Sequence, residues 1–347
     1  MIFLPFIYLG IGFILSVSLV RLVIPILHRM EILDTTESRV QTCVHEPTPR
    51  GGGWGVTPVI AILWLTIWYY FPDKSYWHAL IASLLLFIPL TGITWLDDKH
   101  DGITVRKRMW IQGIAIIIPI IFLPSDVMVC LGYLPLWLDR IVTILGWWWF
   151  MNLFNFMDGI NGISGLEIAT IGLGIALCAY FNEHDFPLTL MGMVLLGAAA
   201  GWLVWNWRRN ALAFLGDVGS IGLGYFGGFA LIILASKGHF WPAALMSLYY
   251  CMDATVTLIY KIKRGVPVWQ SERAHFYHKG TVPGALTSLQ ATMRLLVLNI
   301  ILLVMAFCAS RYERGWAYLP FAMALCVLLM CHFRTEGKKA LSKNNNV

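Results

Sequence analysis

The sequence predicts an all-α fold, a polytopic transmembrane helical bundle. Three observations point there: the composition, the length of the apolar runs, and the placement of the basic residues. Hydrophobic residues make up 58% of the 347 and charged residues 13%, with a mean hydropathy of +0.70. Soluble domains carry about 25% charged residues, so water is not the main solvent of this chain. The apolar runs are continuous over roughly the 20 residues a bilayer requires and do not alternate as barrel strands do. Lys and Arg fall on alternate sides of these runs as 18 against 5, with only Lys74, Arg140, Lys237, Arg311 and Arg314 on the poorer side. By the positive-inside rule the richer side is cytoplasmic.

In order, the runs lie at 2–27, 54–72, 78–96, 109–123, 135–152, 163–181, 187–205, 218–235, 240–260, 290–309 and 316–332. They give about eleven spans, with the N-terminus outside and the C-terminus cytoplasmic, in a single integral membrane domain over 1–347. The polar, basic residues 336–347 read as a disordered cytoplasmic tail. The first run lacks a basic leader and a small-residue cleavage site and exceeds a signal h-region, so it reads as a retained span. Seven cysteines without a CxxC pair suggest neither a disulfide framework nor a zinc site. The net charge of +6 is spread over many loops, which favours membrane orientation over nucleic-acid binding. Trp147–Trp149 and the tryptophans from Trp202 to Trp207 fit interfacial belts. The long loops at 28–53, 97–108 and 261–289 are all cytoplasmic, and function is expected there.

Five motifs occupy that face. Thr48-Pro49-Arg50-Gly51-Gly52-Gly53 combines an arginine with glycines that permit close approach of backbone to a ligand, although alone it is equally a lead-in to a helix. Asp97-Asp98 ends the third run; adjacent carboxylates repel unless a divalent cation or a basic partner sits nearby, and Arg106 and Arg108 are placed to grip phosphate oxygens. Asn152, Asn155, Asp158 and Asn161 recur every three positions, a stripe of amide and carboxylate that is costly at membrane depth unless it lines a cavity. Phe214-Leu215-Gly216-Asp217-Val218-Gly219-Ser220 opens the eighth run, where free amides attract anions and Asp217 is placed to hold a cation against them or simply to cap the helix. Arg273, His275 and His278 lie in a basic late loop suited to phosphate, and a juxtamembrane loop touching anionic lipid would look similar. Asp253, inside the ninth run, reads as a support for this site.

In this order the five motifs resemble the polyprenyl-phosphate N-acetylhexosamine-1-phosphate transferase family, glycosyltransferase family 4, which also contains the peptidoglycan translocase. The PTPRGGG form of the first loop and the late loop are closer to the branch that initiates O-antigen and related polymers. His275 and His278 match the outer positions of that branch's His-x-His-His pattern, with Tyr277 at the middle one. Asn161 stands where the family often has a second Asp, and an amide is a weaker magnesium ligand. The resemblance implies that Asp217 binds Mg2+, with Mn2+ as a substitute, and that Asp97, Asp98 and Asp158 are needed for activity. It implies that Arg50, Gly52, Arg106, Arg108, Asn152, Asn155, Asn161, Phe214, Arg273, His275 and His278 surround the substrates. Those substrates are a UDP-N-acetylhexosamine and undecaprenyl phosphate, joined at the cytoplasmic face of a bacterial inner membrane with release of UMP. A homodimer is compatible with the sequence. The competing expectations are a phospho-MurNAc-pentapeptide translocase and, from another class, a polytopic transporter or lipid flippase.

Overall fold

In an apolar medium each backbone polar group must be satisfied within its own segment, so long apolar runs become helices. The computed structural model describes residues 3–34, 47–71, 76–100, 104–267, 274–312 and 314–344. Its helices are α1 (Leu4–Arg29), α2 (Thr57–Tyr70), α3 (Trp77–His100), α4 (Val105–Ile121), α5 (Leu136–Met157), α6 (Ile163–Cys178) and α7 (Phe186–Asn206). They continue as α8 (Gly216–Leu234), α9 (Phe240–Met246), α10 (Leu248–Lys263), the short α11 (Phe276–Gly280), α12 (Ser288–Ala309) and α13 (Leu319–Asn344). Among the described residues the strands are a two-residue pairing of β1 (Leu33–Asp34) with β2 (Thr48–Pro49), antiparallel with Leu33 opposite Pro49.

Each expected run coincides with helical backbone. Among the described residues, eight helical stretches are long and apolar enough to cross a membrane. α4 and α10 are shorter, at 17 and 16 residues. The run at 240–260 is two helices that meet at Ser247, and π-helical turns at Ala179–Glu183 and Ala235–His239 extend α6 and α8. The tail expected to be disordered from 336 is helical to Asn344, where Lys339 Nζ donates to Glu336 Oε1 at 2.9 Å. Such a pair one turn apart supports an exposed helix end. Thr287 and Gln290 form a reciprocal capping box that fixes the start of α12.

Helix α8, buried at every position except Asp217, forms the centre of the bundle, and its neighbours approach closely. Between α6 and α7, Gly172 and Gly192 face one another, and a Cβ on either would lie 2.6 Å from the other's carbonyl oxygen. Small residues at such crossings gain dispersion contacts that lipid does not supply. The tryptophans expected at interfacial belts are interhelical instead. Trp147 and Trp202 are 2% and 1% exposed, and Trp147 Nε1 donates to the Tyr225 carbonyl at 2.9 Å. A buried indole needs a hydrogen-bond acceptor, and the helical core provides one here.

The triglycine after Arg50 is explained by packing. The amides of Gly51 and Gly52 both donate to the Phe214 carbonyl, at 3.1 and 2.9 Å, and that of Gly53 donates to the Leu215 carbonyl at 2.9 Å. These amides are committed to the chain and do not form an anion nest. A Cβ on Gly53 would sit 2.2 Å from the Cα of Gly219. Gly53→Ala is therefore expected to force α8 away from its support and cost at least about 1–3 kcal/mol, read as a lowered thermal unfolding temperature in detergent.

Candidate active site

The site is assembled where the C-terminal ends of α3 and α5 meet the N-terminal ends of α4 and α8. Asp98 is the last acidic group of α3, and its side chain is 0% exposed. Its Oδ1 accepts from the Asp217 amide and its Oδ2 from the Val218 amide, both at 3.2 Å. Those are two of the amides that the start of α8 leaves without an intrahelical partner, so Asp98 caps α8 from another helix and meets the positive end of its dipole.

Two arginines complete the cluster. Arg50 leaves β2 through a parallel bridge to Phe214, which fixes its backbone against the loop before α8. Its Nη2 lies 2.9 Å from Asp98 Oδ1 and 3.3 Å from Asp217 Oδ1. Burial disfavours the charged form of Arg50 and is the largest influence on it. The carboxylates of Asp98, Asp217 and Asp34 outweigh that influence and hold its pKa above the ordinary arginine value. Arg108, in the first turns of α4, pairs through Nη1 with Asp97 Oδ2 and lies 3.4 Å from Asp217 Oδ2. Its Nε is buried with no hydrogen-bond partner. Arg106, two positions earlier and so on the opposite face of α4, is exposed.

A second group of residues adjoins this cluster through Asn155, whose Oδ1 accepts from Ser220 Oγ at 2.7 Å. Asp158 follows at the end of α5 and accepts from Ser164 Oγ at 2.8 Å. The late loop docks on the same turn. A Cβ on Gly159 would stand 2.3 Å from His278 Nε2 and 2.4 Å from the Tyr277 hydroxyl, and that hydroxyl donates to the Phe156 carbonyl at 3.3 Å. Tyr277, at the middle position of the histidine pattern, is thus a docking residue.

Five of the expected substrate contacts are engaged within the protein. Asn152 Nδ2 donates to Gln112 Oε1 at 3.1 Å, which ties α5 to α4. Asn161 is 1% exposed and donates to the Arg208 carbonyl at 2.8 Å, bracing the loop between α7 and α8. Phe214 is buried, and Gly52 lies against it and Trp202. His275 is 8% exposed, its Nδ1 3.1 Å from Asp253 Oδ1. Arg273 lies outside the described residues. The residues brought together are therefore Arg50, Asp97, Asp98, Arg108 and Asp217, joined through Asn155 to Asp158 and His278.

Sequence reasoning missed Ser220, Ser164 and Tyr277, and it placed Asp253 only as a support. Ser220 had a signal, since it lies three positions after Asp217 and shares its helical face. Asp253 is wholly buried and gathers four donors: His275 Nδ1, the Phe276 amide and the hydroxyls of Tyr249 and Thr257, at 3.1–3.2 Å. Asp253→Ala leaves those buried donors without their acceptor. It is expected to cost at least about 1–3 kcal/mol and to release the loop, seen as faster limited trypsin cleavage at Lys279.

Residues 79–235 match the family model described as glycosyl transferase family 4. Over that stretch the chain is similar to glycosyl transferase family 4. The family 4 match runs from α3 to the end of α8 and contains Asp97, Asp98, Arg108, the Asn152–Asn161 stripe and Asp217. Arg50 and the late loop lie outside it. Among its relatives is a phospho-N-acetylmuramoyl-pentapeptide-transferase of Microcystis aeruginosa, 28% identical over 298 residues and 76% of each chain. A protein of the same name from Lactobacillus helveticus is 25% identical over 70% of this chain and 79% of its own. One from Streptococcus suis is 33% identical over 32% of each chain.

Proposed function

We propose that this chain transfers a sugar 1-phosphate from a UDP-N-acetylhexosamine to undecaprenyl phosphate, at the cytoplasmic face of a bacterial inner membrane, to begin O-antigen or another envelope polysaccharide. The observation that carries this reading is the convergence of Asp97, Asp98 and Asp217 on the two guanidinium groups of Arg50 and Arg108, at one end of a membrane helical bundle. A transporter would concentrate such groups near the bilayer midplane.

The chemistry follows from charge. A lipid phosphate monoester has its second pKa near about 6, so the nucleophile is already largely ionised at neutral pH without a general base. Its oxygen attacks the sugar-bearing phosphorus in line, the bond from that phosphorus to the bridging oxygen breaks, and UMP departs with the electron pair. Arg50 and Arg108 are placed to receive phosphate oxygens and to spread the charge that builds between them. Asp97 and Asp217 remain 13% and 15% exposed, whereas Asp98 is fully enclosed. This gives Asp98 a positioning role and leaves the other two carboxylates facing the substrates.

The donor chemistry fits Mg2+. Among the described residues no three His, Cys, Asp or Glu side chains form a closed metal cage. Mg2+ is ordinarily held by one or two carboxylates together with substrate phosphates and water. Asp97 and Asp217, all-oxygen ligands linked through Arg108, would hold the ion, and when bound it supplies positive charge to the diphosphate. Substrate phosphates would draw the guanidinium groups away from the Asp217 oxygens that they now meet.

The names of the relatives favour a second reading, in which UDP-MurNAc-pentapeptide is the donor. Purified protein is to be assayed for UMP release with undecaprenyl phosphate, Mg2+ and either UDP-GlcNAc or UDP-MurNAc-pentapeptide. Turnover with the first donor is the expected result, and turnover with the second alone establishes the peptidoglycan reading. No release with any UDP-sugar, together with movement of solute or lipid across vesicles, rejects a transferase.

A further inference from the structure

An ionisable side chain inside a span is costly unless it is satisfied, and the transferase site makes no use of the one carried by α6. Glu167 is the only acidic or basic residue among 163–182. It lies in the second turn of α6, just after the turn that follows Asp158, and is 0% exposed. Its partner is Asn299, 4% exposed at the middle of α12, whose Nδ2 donates to Glu167 Oε2 at 2.6 Å. No basic side chain pairs with Glu167 among the described residues. Arg294, the cation of α12, donates instead to the Gln290 carbonyl. The ionisable groups near enough to feel Glu167 are Tyr250 and Cys251 of α10 and Cys326 of α13, a phenol and two thiols of types ordinarily neutral at pH 7.

Two atoms decide the protonation of this pair. Glu167 Oε1 and Asn299 Oδ1 are both buried, and neither has a hydrogen-bond partner. A carboxylate oxygen and an amide oxygen can only accept, so an ionised Glu167 leaves two acceptors facing no donor. A carboxylic acid carries one O–H donor, and a single proton therefore satisfies both atoms. It also removes a charge from an interior where a buried carboxylate is ordinarily paired. We propose that Glu167 is a neutral carboxylic acid closed into a ring with Asn299, its O–H donating to Asn299 Oδ1 while Asn299 Nδ2 donates to its carbonyl oxygen. The ring locks α6 to α12. Helix α6 follows the turn on which the late loop docks at Gly159, and α12 starts at the Thr287 cap where that loop ends. Glu167 and Asn299 are thus positioning residues that hold the two sides of the docked loop together.

The test reads the proton directly and does not depend on turnover. The infrared difference spectrum of the full chain in detergent, wild type minus E167Q at neutral pH, is expected to show the carbonyl stretch of a protonated carboxyl group. In N299L that band should move to higher frequency, because the acid has lost its hydrogen-bonding partner. E167Q keeps a ring of the same shape, with an amide N–H in place of the O–H. It should unfold within about 2 °C of the wild type, whereas N299L should unfold about 2–4 °C lower. Trypsin cleavage at Lys279 should quicken in N299L and keep the wild-type rate in E167Q. Carboxylate bands in place of the acid band overturn the proposal and assign an ionised Glu167 bridged to Asn299 by water. An E167Q protein that unfolds as low as N299L overturns the ring, and equal cleavage in all three overturns the positioning role. Should N299L not fold, the wild-type-minus-E167Q spectrum and the unfolding of E167Q still decide the protonation and the ring.

Discussion

Asp98→Asn is expected to lower turnover by at least about 100-fold and to destabilise the protein by roughly 2–3 kcal/mol. The reason lies in how completely the carboxylate is used. One oxygen accepts from the Asp217 amide and meets Arg50, the other accepts from the Val218 amide, and no part of the side chain reaches solvent. Asparagine turns one of those oxygens into an NH2 group that points at a donor, and it removes the charge opposing Arg50. The start of α8 then loses an amide partner, and Arg50 retains the 3.3 Å contact to Asp217 and the charge of Asp34. Both losses act on the position of Asp217, so kcat should fall more than KM rises. Turnover is read as UMP release at saturating donor, and stability as thermal unfolding in the same detergent. A variant that unfolds normally and keeps more than a tenth of wild-type turnover refutes the positioning role.

The fold was legible because its main determinant is local. Apolar runs of spanning length were readable one by one, and each became helix; the positions of Ser247 and of the helical tail were not readable, because they depend on packing and on exposed i,i+3 pairs. The site was legible as a set of motifs and not as an arrangement. Arg50 and Asp217 are 167 positions apart, and Asp98 and Val218 are 120 apart, and nothing in a single sequence states that such residues meet. The Asn stripe shows the same limit from the other side. A period of three marked polar groups that are at least partly enclosed, yet it could not say whether their partners were ligand or protein. Asn155 joins the two halves of the site through Ser220, whereas Asn152 and Asn161 satisfy Gln112 and the Arg208 carbonyl. Gly52 is similar: the glycine run was recognisable, but only its contacts show that the Trp202 ring and the Phe214 carbonyl pack against it.

Asp217→Asn isolates the chemical role proposed for Asp217, which Asp98 would only support. Among the described residues Asp217 is the one carboxylate met by both arginines, Arg50 at Oδ1 and Arg108 at Oδ2, each at 3.3–3.4 Å. In the variant Arg50 keeps Asp98 and Arg108 keeps Asp97, so the helix ends stay joined and thermal unfolding should change little. Turnover should nevertheless fall by about 1000-fold, the scale associated with losing a group that organises charge at a transferring phosphoryl centre. The wild type should lose all UMP release in excess EDTA and regain it with Mg2+ or Mn2+. In Asp217→Asn the residual activity should need far more Mg2+ for half-saturation, since one of the two carboxylates proposed to hold the ion would be an amide. An unchanged Mg2+ requirement with lowered kcat would move the ion away from Asp217 and towards Asp97. Activity that persists in EDTA would remove the metal from the reaction and leave Arg50 and Arg108 as the sole neutralising charges of the cluster.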